Sequence, residues 1–138
     1  TDLQAGIGLA QFKKLKSFLK GRNRVAKNYN SLLSKEKRIR LPKINKKCVN
    51  AYFFYPVLVP QRDKVAKILK NKYGIDTRIA YKMPIYRQKI YKNKLKFRKL
   101  KCPVAEKVTS SILNLPIYPT LKKKDINYIS NSLINALK

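Results

Sequence analysis

Apolar residues recur at helical spacing from the first turn of the chain. Leu3, Ile7, Phe12, Leu15 and Leu19 are followed by Val25, Ala26, Tyr29, Leu32 and Leu33 on the same repeat. Thr1-Asp2-Leu3-Gln4 fits a capping box at its start. The pattern predicts one helix over residues 1–33, with Gly21-Arg22-Asn23 as its single weak point and a place for a kink. At 1.5 Å per residue, about 33 residues span roughly 50 Å. A domain of this size is only about 36 Å across. The helix therefore overhangs its own domain, as a connector to another one would. Gly6 and Gly8 each cost about 1 kcal/mol relative to Ala in a helix, which predicts a close backbone approach to a neighbouring element there.

The period changes after residue 33. Residues 34–49 read as a charged connector containing Pro42. Residues 50–59 are aromatic and β-branched, a mostly buried strand in which Pro56 requires an edge or a bulge. Residues 62–73 carry Val65, Ala66, Ile68 and Leu69 and stop at Gly74, an amphipathic helix with a C-terminal glycine. Residues 75–81 predict a second short strand, and residues 82–102 show no period. Pro103 opens a helix in which Val104, Val108, Ile112 and Leu113 share a face as far as Asn114. Residues 115–119 are extended. Residues 122–138 form a last helix with Ile126, Ile129, Leu133, Ile134 and Leu137 as its stripe. The sum is an α+β fold: a small, mainly antiparallel sheet covered by helices, with a long N-terminal connecting helix over residues 1–34 and a small domain over 35–138.

Composition narrows the chemistry. With 138 residues there is room for one core. The chain has no His, which excludes Ser-His-Asp and Cys-His catalysis, a His metal site and an imidazole proton shuttle. Two Cys without His cannot make an ordinary four-ligand zinc site. Six scattered carboxylates leave little for cation cages or paired-carboxylate hydrolysis. Cys48 and Cys102 read as free thiols of a reducing cytoplasm. No apolar run is long enough for a membrane span. Gly6-Ile7-Gly8 follows no strand and fails as a dinucleotide fingerprint. Ser34-Lys35-Glu36-Lys37 has the spacing of a nucleophile pair but lies at a charged helix end.

Charge adds a second line of reading. Lys plus Arg total 34 against 6 acids, a formal charge of +28. A/T-rich codons account for much of this, since Lys, Ile, Asn and Tyr together make 59 residues. A surface this positive attracts polyanions regardless of origin. Between Asp76 and Glu106 there is no acid, and Tyr81, Tyr86, Tyr91 and Phe97 alternate with cations. Such interleaving suits base stacking with phosphate contacts. It equally suits a loop that tucks rings inward and solvates its charges. A basic nucleic-acid-binding or regulatory module is thus the alternative reading, with binding driven by non-specific charge.

The order of segments carries a resemblance. Thr1-Asp2-Leu3-Gln4-Ala5-Gly6-Ile7-Gly8 resembles the T-D-[LI]-Q-A-A-[IL]-G segment of the DegT/DnrJ/EryC1/StrS sugar aminotransferases. Arg22-Asn23-Arg24-Val25-Ala26-Lys27-Asn28-Tyr29-Asn30 is similar to R-R-x-[IL]-A-x-x-Y-[ND], and Ala51-Tyr52-Phe53-Phe54-Tyr55-Pro56-Val57 to A-[YW]-H-x-[FY]-x-[VI]. Residues 74–88 resemble G-I-x-[TS]-x-x-H-Y-x-x-P-[LI]-H-x-Q. Pro103-Val104-Ala105-Glu106 and Leu115-Pro116-Ile117-Tyr118-Pro119 resemble P-x-[AS]-E and L-P-[LI]-[YH]-P.

The resemblance implies a pyridoxal-phosphate enzyme of aspartate-aminotransferase fold, working as a cytoplasmic homodimer. Such enzymes aminate a keto group on a nucleotide-linked sugar, a chemistry of polysaccharide biosynthesis. The chain corresponds to the C-terminal small domain alone. The lysine that holds the cofactor, the aspartate on its ring nitrogen and most phosphate ligands lie in a large N-terminal domain that would be the partner of this chain. The chain alone would bind no cofactor and hold no catalytic residue; it would close the active site and help the dimer. Tyr81, Tyr86 and Gln88 match or replace substrate-facing positions of the motif, and Arg78 and Arg87 suit a diphosphate because guanidinium forks fit phosphate oxygens. Ala80, Tyr86 and Phe53 stand where the family often has His. A phenol at Tyr86 retains a hydroxyl to offer a sugar or phosphate.

Overall fold

A computed structural model describes residues 1–45, 47–94 and 100–138. The predicted N-terminal helix is two helices, α1 (Asp2–Phe12) and α2 (Leu15–Leu33). Gln4 reaches back to Thr1 with its side-chain oxygen 3.1 Å from the Thr1 nitrogen, the expected capping pair. The interruption lies at Lys13-Lys14, not at Gly21. There the Lys14 amide donates to Gln11 O, tightening the ladder by one residue before α2 begins. Gly21 sits inside an unbroken α2 for a different reason. A Cβ at this position would meet the Pro119 Cβ and O at 2.8 Å, so only glycine lets the chain at Pro119 lie against the helix. The approach expected at Gly6 and Gly8 is not made among the described residues: none lies within 4 Å of a Cβ built at either. All of α1 is exposed, with Leu3 at 76% and Phe12 at 72%.

The second half of the stripe carries the core. Val25, Ala26, Tyr29 and Leu33 of α2 are buried, following the helical repeat. They pack on α6 (Lys123–Ala136), which buries Ile126, Ile129, Leu133 and Ala136. Helix α3 (Arg62–Tyr73) adds Val65 and Leu69, and Gly74 ends it at φ 64°, the left-handed region that favours glycine. Two short strands, β1 (Tyr55–Leu58) and β2 (Ile112–Leu115), form the antiparallel sheet, with Tyr55 opposite Leu115 and Leu58 opposite Ile112. Helix α5 (Pro103–Ser111) leads into β2, and α4 (Lys89–Lys94) follows a 3₁₀ turn at Ile85–Arg87. The mainly antiparallel sheet covered by helices is thus observed.

Three sequence expectations change in detail. The strand over residues 50–59 shrinks to four residues, because the backbone at Tyr52 turns to φ 45° and breaks the extended run. The strand over 75–81 reduces to one bridge, Arg78 with Asn114. The helix read as far as Asn114 ends at Ser111. Ile112 is already extended at φ −70°, ψ 127°, and residues 112–115 pair with β1. Pro56 sits without loss. Leu58 directs its amide and carbonyl to Arg40, so Pro56, two residues away, faces that same side and not β2. The missing Pro N–H breaks no rung between the strands.

The two largest polar rings inside the fold are partnered, whereas Ser130 Oγ is buried with no partner among the described residues. Tyr29 and Tyr55 stack with ring centroids 4.7 Å apart. Their hydroxyls donate to Pro116 O at 2.9 Å and to Asn30 Oδ1 at 2.6 Å. Burial pushes both phenols well above the ordinary tyrosine range, so both are neutral donors. Arg62 is buried with its Nη1 donating to Thr109 O at 2.8 Å, where its positive charge meets the free carbonyls at the end of α5.

Candidate functional site

Arg78 is held from both sides of its peptide. Its amide donates to Asn114 O at 3.0 Å, and its carbonyl accepts from the Asn114 amide and Asn114 Nδ2, each at 2.9 Å. Asn114 is itself buried on β2, so the sheet fixes the Arg78 backbone while its side chain stands in solvent. The guanidinium lies over the Phe54 ring, 5.1 Å from its centroid, a cation–π contact. Phe54 in turn meets Phe53 edge-on, with centroids 4.6 Å apart and planes at 69°. The turn before them is built from Asn50. Its Oδ1 accepts from the Tyr52 amide at 2.8 Å and its carbonyl from Asn23 Nδ2 at 3.0 Å. Tyr52, buried at 7% exposure, adopts a left-handed φ that costs a bulky residue about 1–3 kcal/mol.

Tyr86 and Arg87 meet at a different place. Both reach Glu106 Oε1, the phenol by a short hydrogen bond and Arg87 Nη2 at 3.0 Å. The Cys102 amide donates to the Tyr86 oxygen at 3.2 Å. The 3₁₀ turn supplies the first two groups and the first turn of α5 the carboxylate, so Glu106 ties the loop to α5. The Tyr86 hydrogen bond, with that of Arg87, holds the Glu106 carboxyl below its ordinary value. The bond to Glu106 raises the Tyr86 phenol. The cluster is therefore carboxylate, neutral phenol and guanidinium at neutral pH. The phenol proton points at Glu106 and the phenol oxygen accepts from the Cys102 amide, while Arg87 stays exposed.

The other sequence candidates are less engaged. Tyr81 is 66% exposed. Gln88 is exposed, and its amide closes the 3₁₀ turn on Ile85 O at 3.0 Å. None of the five candidate residues lines the apolar groove of about 360 Å³ between residues 40–43, the outer side of β1 and α5. Phe97 and the cations flanking it in the 81–101 stretch lie outside the described residues. Sequence reasoning passed over two participants. Glu106 was marked by being the first acid after 29 acid-free positions. Asn114 gave no such signal, because its position within a strand was read as a helix end.

No lysine among the described side chains is buried, and no group of metal-ligating side chains occurs among the described residues. A covalent cofactor lysine needs a desolvated or otherwise activated amine. The described lysines are all exposed and offer no desolvated amine for that role. Cys48 and Cys102 are both exposed and unpaired. No helix of the described residues is long and apolar enough to cross a membrane.

An α+β small domain with a two-stranded antiparallel sheet, a helical N-terminal extension and a basic loop over α5 defines the class. The sequence profile of the DegT/DnrJ/EryC1/StrS aminotransferase family matches residues 1–134, and the chain belongs to that family. It is 31% identical to a dTDP-4-dehydro-2,3,6-trideoxy-D-glucose 4-aminotransferase of Saccharopolyspora spinosa, covering 99% of this chain and 34% of that protein. The aminotransferase TlmJ of Streptoalloteichus hindustanus superposes with a TM-score of 0.85 at 26% identity, over 99% of this chain and 36% of that one. NtdA of Bacillus subtilis, solved with bound cofactor PMP, superposes with a TM-score of 0.85 at 25% identity, over 98% and 32%. The chain spans about a third of the length of the relatives it matches. The family is pyridoxal-phosphate dependent.

Proposed function

We propose that this chain is the C-terminal small domain of a pyridoxal-phosphate-dependent aminotransferase that aminates a keto group on a nucleotide-linked sugar. The observation that carries the proposal is the family match over residues 1–134 by a chain one third the length of its relatives. Residues 1–34 form the link to a large domain that supplies the cofactor lysine, and residues 35–138 close over the substrate. The wholly exposed apolar residues of α1 support this division, because they need a surface that this chain does not supply. Arg78, Arg87, Tyr81, Tyr86 and Gln88 are the substrate-facing set, with the two arginines toward the diphosphate. The parent protein works as a homodimer in the cytoplasm, a setting that suits two exposed free thiols.

The test is to express this chain joined to, and separately mixed with, a large domain bearing the cofactor lysine. Glutamate, pyridoxal phosphate and a dTDP-linked keto sugar are supplied, and the aminated sugar is read by mass spectrometry. Amination that requires both parts is the expected outcome. A stable, cofactor-loaded assembly that aminates no nucleotide sugar overturns the substrate assignment. A chain that forms no assembly with any large domain overturns the domain assignment.

A further inference from the structure

The free edge of β1 is stopped by two prolines. Arg40 and Leu58 exchange both backbone hydrogen bonds, at 3.0 and 2.9 Å, as an isolated antiparallel bridge. Two residues on from Arg40 and two back from Leu58, the next such pair is Pro42 and Pro56. Neither has an N–H to give, so the ladder ends there. Pro56 and Leu58 share the sheet face turned away from the main core, since Tyr55 and Val57 are the buried pair. Helix α5 covers that face incompletely: Val104 is 75% exposed and Val108 only half-buried. The result is an apolar groove of about 360 Å³, walled by Pro42, Pro56, Leu58, Val104, Val108 and Ile112. It continues past Arg40 into a second lobe of about 470 Å³, toward Pro60 and Ser111.

Charge selects the occupant. Arg40 and Lys43 stand at the first lobe, and Arg40 and Lys107 at the second. Among the described residues no carboxylate lines either lobe, and none of these three cations sits in an ion pair. A second copy of the chain would bring +28 of like charge to the same cations. An added peptide strand finds no donor at the edge position that the two prolines occupy. The first lobe falls at the low end of the range of small-ligand sites, about 300–1,000 Å³. We propose that this groove binds a free amphiphilic carboxylate, with an acyl or aryl body on the apolar wall and its head at Arg40. The site shares no residue with the substrate-facing set, and the proposal stands apart from the transferase reading.

The experiment titrates the 138-residue chain with octanoate, octanol and acetate, following methyl resonances by NMR. The salt is about 150 mM, where exposed charges are screened beyond about 8 Å. Octanoate is expected to shift the methyls of Leu58, Val104, Val108 and Ile112. Octanol shifts the same methyls with several-fold weaker affinity, and acetate leaves them unmoved. Arg40→Gln keeps the backbone bridge, weakens octanoate about two- to fivefold, the scale of an exposed charge pair, and leaves octanol unchanged. Val104→Asp, at an exposed position, keeps the fold and removes octanoate binding. Octanol bound as tightly as octanoate, or Arg40→Gln without effect, overturns the proposal, because the groove is then an apolar contact face alone. Octanoate shifts scattered over the lysine surface overturn it as charge attraction only. Shifts at these methyls that follow protein concentration without ligand give the groove to a second copy. An Asp-flanked leucine peptide that outcompetes octanoate gives it to a protein partner. Loss of octanoate binding when the chain is joined to a large domain gives it to the domain junction. Each of these last three outcomes overturns the small-ligand site.

Discussion

Among single residues, the carboxylates are the scarce currency of this chain. Glu36 accepts from Arg38 Nε at 2.8 Å and Nη2 at 3.0 Å, and from the Arg38 amide at 3.1 Å. Those hydrogen bonds hold its carboxyl down to about 2. The same Arg38 donates to Leu137 O at 2.6 Å, so the pair fastens the end of α2 to the end of α6. A carboxyl depressed in the folded state adds stability that is complete above the unfolded value and lost as pH falls toward the folded one. The window runs from the ordinary glutamate range of about 4.3 down to about 2. Titration of the Glu36 side-chain carbon by NMR should show a midpoint near the lower limit, and Arg38→Ala should return it to the ordinary range. An unchanged midpoint in Arg38→Ala would remove the pair as the cause. At this scale the sequence was partly legible. Arg78 and Arg87 were named for their fork chemistry, and Tyr86 for its hydroxyl. Their partners were not, because Phe54 and Glu106 are brought to them by a loop path that no spacing rule encodes.

Among elements, helices were more readable than strands: β1 lies inside the expected 50–59 run but is only four residues long. Each helix carries a stripe several residues long, so α2, α3 and α6 could be placed from their apolar repeat. A four-residue strand gives only two residues per face. For β2 this failed in an instructive way: Val104, Val108, Ile112 and Leu113 continue a helical repeat straight across the real end of α5 at Ser111. The break at Lys13-Lys14 was equally invisible, since neither residue is a helix breaker. The role of Gly21 lay in its contact with Pro119, a partner nearly a hundred residues away. Gly21→Ala places a methyl 2.8 Å from Pro119 backbone and side-chain atoms. The expected loss is about 1–3 kcal/mol of stability, the usual cost of overpacking a rigid contact. Gly6→Ala serves as the control, because its site is open and helix propensity alone should make it neutral or stabilising by about 1 kcal/mol. Urea midpoints of the two variants should move in opposite directions or, at least, separate clearly. Equal midpoints would show that the 119 segment does not rest on α2.

The whole molecule is dominated by its field. Among the described residues Glu36, Asp63, Asp76 and Glu106 sit in ion pairs, and the formal sum over the chain is still +28. Charge of this size concentrates any polyanion at the surface whether or not a site exists for it. The two readings of that charge separate by salt. Attraction through released counterions falls steeply: a protein with six to ten phosphate contacts loses about 10³–10⁵ in affinity between 50 and 200 mM salt. The chain should therefore bind duplex DNA and heparin in 50 mM salt, without preference for sequence, and release both by 200 mM. Fluorescence anisotropy of labelled DNA across that range measures the slope directly. The small-domain reading requires this steep loss, because it gives nucleic acid no contact other than charge. Retention at 200 mM, with a shallow slope, would mean that rings and hydrogen bonds share the binding with the lysines. The aromatic–cation interleaving of residues 81–101 would then be a nucleic-acid surface, and the module would have a function separate from sugar amination.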